Sequence, residues 1–227
     1  MSHPAPDDLL AGHPSTAYVW GRVAGDGDVH RDHLTVTTTD EAAAETISEL
    51  VGGDVGHDTA SRAYAHDTDL TKTEDEYTVT VRSDDLFGTS GSLGLPVDGR
   101  GNYRFGAFAD YRRDLLRGLL EGCGTICFKS ASGTVGISFV HDDADLLEVV
   151  QQLIDDCPVD ALYGDLSATS SGGYWFGVDD DTAAEFGMWL YEGTDDTGLF
   201  APTRRRKLVQ SLDQATDVEF DRSQFDS

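Results

Sequence analysis

The sequence predicts an α+β protein made of two pseudo-symmetric lobes, each with the order helix, two strands, helix, two strands, helix. Two observations predict this design. The order of predicted elements repeats after about 100 residues, which indicates a duplicated domain rather than a solenoid. In addition, a glycine-rich segment ends the first helix of each half, at Asp26 and again 97 positions later at Cys123. With 227 residues, 39% of them hydrophobic, the chain is long enough to bury a core.

The first lobe is predicted over residues 15–95, after a disordered polar tail over 1–14. Ser15 or Thr16 caps its first helix, which ends at Gly25. The further elements follow from alternating β-branched residues and from one apolar helix face. In chain order they are a strand over 28–39, a helix over 41–51 capped by Asp40, strands over 61–66 and 77–82 joined by an acidic turn at 67–76, and a short helix at 84–89.

A linker is predicted over residues 96–109 and a second lobe over 110–213, followed by an acidic tail over 214–227. The strongest helical signal of this lobe lies at 142–156, where apolar residues recur on one face. In chain order the elements are a helix over 111–122 capped by Asp110, strands over 125–130 and 134–140, the helix over 142–156, strands over 160–169 and 174–178, a helix over 180–192, and a helical segment from Arg204 to Lys207.

The charge of the chain limits how it can bind nucleic acid. It holds 42 acidic and 16 basic residues, a formal net charge of −26, spread along the whole length. Molar salt reduces the Debye length to about 3 Å, so self-repulsion at this charge becomes tolerable there. We therefore expect a halophilic chain from a haloarchaeon, although an acidic mesophilic protein fits the same composition. In either case the chain should not bind nucleic acid through its overall field at ordinary salt, and any such binding must come from a local basic surface, or from shape, at high salt.

The cysteines and the hydropathy profile indicate where the chain resides. Cys123, Cys127 and Cys157 form no paired framework, which favours a reduced intracellular chain and argues against a zinc site. No apolar run is long enough to span a membrane, and the N-terminal segment lacks the apolar core of a signal peptide. We expect a cytoplasmic protein that has no membrane partner.

The two glycine-rich segments share one pattern. They read VWGRVAGDGDV over 19–29 and LRGLLEGCGTI over 116–126. Each has glycine at its third position, glycine on both sides of its eighth, and a β-branched residue at its eleventh. The glycines spaced four apart line one helix face, so two such helices can pack backbone to backbone. These residues are Gly21 with Gly25, and Gly118 with Gly122.

This pattern resembles the motif of the LAGLIDADG homing endonucleases in their single-chain, two-motif form. Residues 93–96 and 111–119 also resemble the stretch between the lobes of that family, and the resemblance covers roughly residues 15 to 210. It implies a four-stranded antiparallel sheet packed by helices in each lobe, with the motif helices between the lobes. It also implies a monomer with an internal pseudo-dimer, which binds double-stranded DNA on a saddle of eight strands.

The resemblance implies that acids at the eighth motif position point towards DNA and bind Mg²⁺ for phosphodiester hydrolysis. Asp26 fits this role as catalytic residue and metal ligand, although an Asp between glycines is also a common turn residue. Cys123 departs from the pattern, because a neutral thiol is a poor ligand for Mg²⁺. Glu121 lies about 200° around the helix from Cys123, and we expect it to be a solvated residue at the helix end.

Candidate DNA contacts come from one basic run and from the predicted strand face. The run Arg204, Arg205, Arg206 and Lys207 resembles the basic segment near the C-terminus of the family, close to the scissile phosphates. Ion pairing with Asp195 and Asp196 is the alternative. The strand-face candidates are Arg31, His33, Arg62, Tyr64, Lys72, Arg82 and Lys129. A solvated strand face is the alternative for each of them, and nearby acids weaken the case for DNA.

Three functions remain open at this point. The first is a DNA-binding protein of this family, domesticated and impaired in double-strand cleavage because the second acid is missing. The second is an active Mg²⁺-dependent endonuclease or nickase that uses Asp26. The third is a scaffold or regulatory protein that binds a protein or small ligand and no longer binds DNA. The pair Asp26 and Cys123 decides between the first two.

Overall fold

Two antiparallel sheets of identical strand order form the framework of the protein. The structure is a computed structural model that describes residues 9–30, 33–64, 67–82, 93, 95, 102–216, 218, 220–222 and 225, with the backbone alone at 61–64 and 67–72. Within this part of the chain each sheet has four strands, and helices pack on one face of each. The predicted α+β fold class, with a four-stranded antiparallel sheet in each lobe, is confirmed.

The first lobe has the strand order β1-β2-β4-β3. Its elements are α1 (Pro14–Asp26), β1 (Gly27–Val29), β2 (Leu34–Thr38), α2 (Glu41–Val51), β3 (Asp54–Tyr64) and β4 (Asp67–Val81). The second lobe has the strand order β5-β6-β8-β7. Its elements are a 3-10 helix (Gly106–Tyr111), α3 (Arg112–Cys123), β5 (Gly124–Lys129), β6 (Thr134–His141), α4 (Ala144–Asp155), β7 (Ser167–Ala168), β8 (Tyr174–Val178), α5 (Asp180–Tyr191), α6 (Thr194–Thr197) and α7 (Pro202–Gln214).

The two motif helices, α1 and α3, lead directly into the first strand of their lobes. They end at Asp26 and Cys123, and the next residue already has extended backbone, with φ of −110° at Gly27 and −102° at Gly124. A Cβ atom at Gly27 would lie 2.7 Å from the Val23 carbonyl oxygen, so the close approach requires glycine. The eighth motif residue is therefore fixed at the point where helix becomes strand.

The predicted N-cap residue is confirmed at α2 and is wrong at α1. Asp40 caps α2, where its Oδ1 accepts a hydrogen bond from the Ala43 backbone N–H at 3.4 Å. The cap of α1 is His13, whose Nδ1 accepts from the Ser15 backbone N–H at 3.2 Å. The predicted cap at Ser15 or Thr16 is wrong, because a proline occupies the first helical position and starts the helix earlier.

Part of the predicted disordered tail packs against α1. The Leu9 carbonyl oxygen accepts from Trp20 Nε1 at 2.8 Å, and the Ala11 carbonyl oxygen accepts from the Thr16 hydroxyl at 2.7 Å. Residues 9–13 are thus tied to the first helix. Disorder over residues 1–8 stays a prediction, since these residues lie outside the described part of the chain, as do the predicted helix at 84–89 and residues 96–101 of the linker.

The largest difference from the sequence prediction is the hairpin of β3 and β4. The acidic stretch 67–76, predicted as a turn, forms most of β4 and pairs with β3, for example with Asp58 opposite Glu76. Charged residues are compatible with these strands because the described side chains of β3 are largely exposed. The predicted strand over 160–169 is reduced to the two residues of β7 and one isolated bridge.

The apolar core runs through both lobes as one cluster with the motif helices inside it. Tyr18 and Trp20 of α1 are fully buried, as are Leu116 and Leu119 of α3. Helices from the two lobes therefore share one interior, and residues at the motif ends have neighbours from both lobes. Among the described residues, no helix is long and apolar enough to cross a membrane.

Candidate DNA-binding site at the ends of the motif helices

The contact between α1 and α3 is made largely by backbone atoms. The structure places in it the four glycines of the motif pattern, Gly21, Gly25, Gly118 and Gly122. An ideal Cβ on Gly118 would lie 2.3 Å from the Tyr18 carbonyl oxygen and 3.0 Å from Gly21 Cα. Near the helix ends, a Cβ on Gly25 would lie 3.0 Å from the Cys123 nitrogen. Glycine thus sets the distance between the helices and brings the two motif ends side by side.

The Asp26 carboxylate is held by Arg22, one turn earlier on α1. Arg22 Nη2 donates to Asp26 Oδ2 at 2.5 Å and Nε donates to Oδ1 at 3.3 Å, so the guanidinium binds both carboxylate oxygens. The side chain of Arg22 is 1% exposed and that of Asp26 is 17% exposed. Burial raises the pKa of Asp26, and the ion pair with Arg22 opposes this shift. The sequence analysis does not predict the ion pair of Arg22 with Asp26, although the two residues are four positions apart, the spacing of a helical ion pair.

Cys123 occupies the corresponding end of α3. Its thiol donates to the Leu119 carbonyl oxygen of its own helix at 3.3 Å. Burial, and after it the negative charge of Asp26, raises the pKa of Cys123 to about 12. The thiol is therefore neutral near pH 7 and cannot replace a carboxylate as the ligand of a hard cation.

Glu121 is buried at the lobe interface, so the expectation of a solvated residue is wrong. Its side chain is 0% exposed. Tyr18 OH donates to Oε2 at 2.7 Å, and the Ala201 backbone N–H donates to Oε1 at 2.9 Å. Arg22 Nη1 lies 3.8 Å from Oε2, and burial raises the pKa of Glu121 while Arg22 opposes the rise. Glu121 does lie on a different side of α3 from Cys123, as expected. That side, however, faces α1 and not solvent.

A cavity of about 320 Å³ lies beside Asp26 and borders on the start of α7. Two carboxylates fix this start. Asp40 Oδ2, from the first lobe, accepts from the Thr203 backbone N–H at 2.7 Å, and Glu121 accepts from that of Ala201. The first N–H groups of a helix have no partner within the helix, so carboxylates are favourable there. The first lobe thereby positions a helix of the second.

The basic run on α7 contributes two side chains to this cavity. Arg204 and Lys207 line it together with Asp26. The positive charge of Arg204 lowers the pKa of Asp26, against the larger effect of burial. Arg206 is exposed on the same helix. Arg204 and Lys207 are placed where a phosphate that approaches the motif ends could meet a positive charge, and the contact of Arg206 with DNA stays a prediction.

Arg205 is buried in an ion pair within the protein, which corrects the prediction that it contacts DNA. It is 6% exposed. Its guanidinium binds both carboxylate oxygens of Asp195 at 2.6 Å and packs over the ring of Phe200, 4.7 Å from the ring centroid. For Arg205 the alternative prediction, an ion pair with Asp195, is therefore the one that the structure shows. Its position on α7 faces the core.

The family model with the description "Putative archaeal homing endonuclease", one of the LAGLIDADG families, matches residues 1–218. The chain belongs to this family. The match covers both motif helices, both sheets and α7. It confirms the resemblance that the glycine pattern suggested. A search of curated proteins finds no match.

Solved structures of similar fold include homing endonucleases bound to DNA. I-WcaI bound to its DNA recognition sequence has a TM-score of 0.54 and 9% identity, over 87% of this chain and 87% of that chain. A variant of I-DmoI with its target DNA and 2 mM Mg has a TM-score of 0.52 and 14% identity, over 82% and 98%. Full-length WhiA from Thermatoga maritima has a TM-score of 0.53 and 12% identity, over 95% of this chain. The chain spans 64% of the length of that WhiA protein.

The motif ends of this LAGLIDADG protein do not fit a magnesium ion. Mg²⁺ needs oxygen ligands in near-octahedral geometry. Both oxygens of Asp26 are bound by Arg22, and Cys123 offers a neutral thiol. Among the residues that the structure describes, no group of three or more His, Cys, Asp or Glu side chains is placed to hold a metal ion. A cation at Asp26 would have to share the carboxylate with the Arg22 guanidinium, whose positive charge repels it.

The strand residues predicted to contact DNA have varied surroundings in this LAGLIDADG protein. Lys129 on β5 forms an ion pair with Asp180, at the start of α5. His33 stacks on His30, with ring centroids 4.4 Å apart. Arg82 follows β4 and is exposed. Contact of each of these residues with DNA stays a prediction. For Lys129, such a contact requires that its ion pair with Asp180 be shared with DNA or broken.

Four of the predicted DNA contacts fall on parts of the chain that are not described. Arg31 lies outside the described residues altogether, and the side chains of Arg62, Tyr64 and Lys72 do as well. The backbone register sets Arg62 directly opposite Lys72 in the hairpin of β3 and β4. Two basic residues are therefore paired in register along this hairpin, and their contact with DNA stays a prediction.

Proposed function

We propose that the chain is a DNA-binding protein of the LAGLIDADG family that is impaired in double-strand cleavage. The ion pair between Arg22 and Asp26, next to the neutral thiol of Cys123, carries this proposal. The family motif calls for an acid at both helix ends. Here one acid is absent, and a buried arginine neutralises the other. The side chain of Arg22 is 1% exposed, and its positive charge would repel a metal ion at Asp26.

Two observations support the DNA-binding part of this proposal. Solved relatives of the same fold are bound to DNA, and in this chain Arg204 and Lys207 line the cavity beside Asp26. A monomer would then use its two lobes as an internal pseudo-dimer. Because the chain carries a charge of −26, we expect its affinity for DNA to be measurable in molar KCl, where the repulsion is screened. Recognition without cleavage fits a domesticated, regulatory role.

A nickase is the second candidate, and the position of Asp26 favours it. This side chain lines the cavity and is 17% exposed, so it remains accessible. One relative of the same fold was solved with its target DNA in the presence of Mg. If phosphate oxygens of bound DNA complete a Mg²⁺ site, and Arg22 releases Asp26, one acid supports hydrolysis of one strand.

Plasmid nicking and gel shifts in molar KCl with Mg²⁺ separate these functions. We expect the wild-type protein to shift duplexes selected from a randomised pool and to leave a supercoiled plasmid carrying the selected sequence intact. Arg204→Gln combined with Lys207→Gln should weaken binding, and by a larger factor as the KCl concentration is lowered, because two phosphate contacts are lost. Asp26→Asn should change neither readout.

The matched control removes the same charge elsewhere. Arg112→Gln combined with Arg113→Gln acts at the opposite end of α3, away from the cavity, and should leave binding unchanged. Nicking that Asp26→Asn abolishes would establish the nickase and overturn the proposal of impaired cleavage. A protein that shifts no duplex at any KCl concentration would be a scaffold that does not bind DNA.

A further inference from the structure

A second cavity, of about 440 Å³, lies at the opposite end of α3 from Cys123. Both motif helices begin beside it, with Pro14 on α1 and Arg112 on α3, and the C-terminal end of α5 closes it. Pockets that hold small organic ligands have volumes of about 300–1,000 Å³, so this one is large enough. Part of its wall is apolar or aromatic and is formed by Pro14, Ala109, Tyr111, Pro158 and Trp189.

Two residues that line this cavity have a buried N–H donor without an acceptor. Within the described part of the chain, no atom accepts a hydrogen bond from Trp189 Nε1 or from Arg112 Nε. Indole and guanidinium groups can only donate, so each needs an acceptor atom. Buried donors are rarely left unpaired in folded proteins. An oxygen atom from outside the chain is therefore expected in this cavity.

The arginines of the cavity differ in how firmly they are held. Arg117 is 1% exposed, and two backbone carbonyl oxygens and Asp114 accept from its guanidinium. Arg113 is held loosely, because its ion-pair partner Glu192 is 64% exposed. Its guanidinium lies 5.3 Å from the centroid of the Trp189 ring. Exposed ion pairs contribute little to stability, so a ligand can replace Glu192 at Arg113 at little cost.

We propose that this cavity binds a small organic anion, a phosphate monoester or a carboxylic acid, through Arg113, Trp189 and Arg112. An anionic oxygen is an acceptor for the two unpaired donors, and guanidinium groups bind phosphate and carboxylate through parallel N–H donors. The organic part of the ligand packs on the apolar wall. The site goes beyond the proposed DNA-binding function, since it lies at the other end of the motif helices.

The charges around the cavity favour a ligand with one anionic group. Three carboxylates, those of Asp110, Asp114 and Glu192, line it together with the three arginines, so it has no excess of positive charge. A polyanion such as nucleic acid would be repelled by these acids and by the net charge of −26. Water alone would pair the two donors but would leave the apolar wall wet. A molecule with an apolar body and a single anionic group satisfies both parts of the cavity.

Titration calorimetry with phenyl phosphate and with benzoate tests this inference, because the two probes join the same ring to either anionic group. Benzyl alcohol is the neutral control, and inorganic phosphate is the control without an apolar body. At constant KCl concentration, we expect one of the two aromatic anions to bind about tenfold or more tightly than both controls. The preferred anion then shows whether the ligand is a phosphate monoester or a carboxylic acid.

The indole N–H resonances show whether the anion occupies this cavity. The chain has three tryptophans, so its spectrum contains three such signals. The signal of Trp189 should move downfield when the anion is added, because its N–H gains an acceptor. The signal of Trp20, which already donates to the Leu9 carbonyl oxygen, should stay in place, as should that of Trp175. The variant Trp189→Phe assigns the signal.

Trp189→Phe and Arg113→Gln should each weaken binding of the preferred anion about tenfold, since each removes a hydrogen bond to a charged acceptor. Arg222→Gln is the matched control. It also removes an exposed arginine with a carboxylate partner, Asp213, but it does not line the cavity. Thermal unfolding of each variant shows that the fold is kept. Binding by Arg222→Gln should equal that of the wild type.

Three results would overturn the inference. The first is that neither phenyl phosphate nor benzoate binds more tightly than the controls. The second is that either Trp189→Phe or Arg113→Gln binds the anion like the wild type. The third is that Arg204→Gln alone abolishes binding, which would place the anion in the cavity beside Asp26. Each result leaves the proposed DNA-binding function standing, because gel shifts test that function separately.

Discussion

Gly118→Ala is expected to lower the midpoint of thermal unfolding in molar KCl by roughly 6 °C, because it pushes the two motif helices apart. The new Cβ would lie 2.3 Å from the Tyr18 carbonyl oxygen, where ordinary contact begins near 3.4 Å. This neighbour is backbone and cannot rotate away. Overpacking of this kind costs about 3 kcal/mol, and the higher helix propensity of alanine offsets about 1 kcal/mol of it.

Gly106→Ala is the control, since it adds the same methyl group where no atom lies within 4 Å. Its midpoint should stay close to that of the wild-type protein. Circular dichroism during heating measures both variants. Equal stability of Gly118→Ala and Gly106→Ala would contradict the backbone contact between the motif helices, and with it the placement of Asp26 beside Cys123.

Glu121→Ala is expected to destabilise the protein by about 4 kcal/mol, which lowers the midpoint by roughly 8 to 16 °C. Two buried donors, the Tyr18 hydroxyl and the Ala201 backbone N–H, lose their acceptor. Each unsatisfied group costs about 1–3 kcal/mol. The start of α7 also loses one of the two carboxylates that hold it. Unfolding by urea in molar KCl measures this loss.

Glu121→Gln separates the hydrogen bonds from the charge. The amide oxygen can still accept from the backbone of Ala201, so we expect a loss of only about 1 kcal/mol. Burial raises the pKa of Glu121 above its usual 4.5 in the folded chain, so folding favours the protonated acid. The contribution of this acid is therefore fully present below pH 4.5 and is lost as the pH rises through the folded pKa.

The difference in unfolding free energy between the wild-type protein and Glu121→Gln consequently depends on pH. The wild type should become less stable relative to Glu121→Gln as the pH rises above 4.5. Asp26 and the other acids titrate in both proteins, so their effects largely cancel in this comparison. A difference that stays constant from low pH to neutrality would show that the buried carboxylate has an ordinary pKa.

The sequence predicts those features that depend on one helix or one strand at a time. The spacing of Gly21, Gly25, Gly118 and Gly122 follows from a single helical period, and together with the repeated order of elements it predicts the family and the fold class. The cap at Asp40 was predicted for the same reason. The second role of Asp40, as acceptor for Thr203 at the start of α7, depends on the other lobe and has no local signal.

The features that the sequence did not predict depend on contacts between the lobes or between strands. Glu121 has the pattern of an exposed helix-end residue, and only the approach of Tyr18 and Arg22 from α1 makes it a buried acceptor. The acidic stretch 67–76 has the composition of a turn, but pairing with β3 makes it a strand. Arg205 was assigned with its basic neighbours because a run of like charges does not reveal which side of the helix is buried.

We propose that Arg22 and Cys123 together prevent a metal ion from binding at the ends of the motif helices. The variant that reopens this position is Arg22→Leu combined with Cys123→Asp. Leucine is the residue at the equivalent position of the second motif, Leu119, and the new aspartate restores the acid pair. Mn²⁺ replaces Mg²⁺ as the probe, because both are hard cations with oxygen ligands and Mn²⁺ is visible by electron paramagnetic resonance.

Mn²⁺ binding in molar KCl, compared among the wild-type protein, Asp26→Asn and the reopened variant, tests this claim most directly. We predict that the wild type and Asp26→Asn take up the same amount of Mn²⁺, since the surface carboxylates are common to both. The reopened variant should bind one further ion, which the added change Asp26→Asn removes. A wild-type Mn²⁺ ion that disappears in Asp26→Asn would show that the site is open and would contradict the claim.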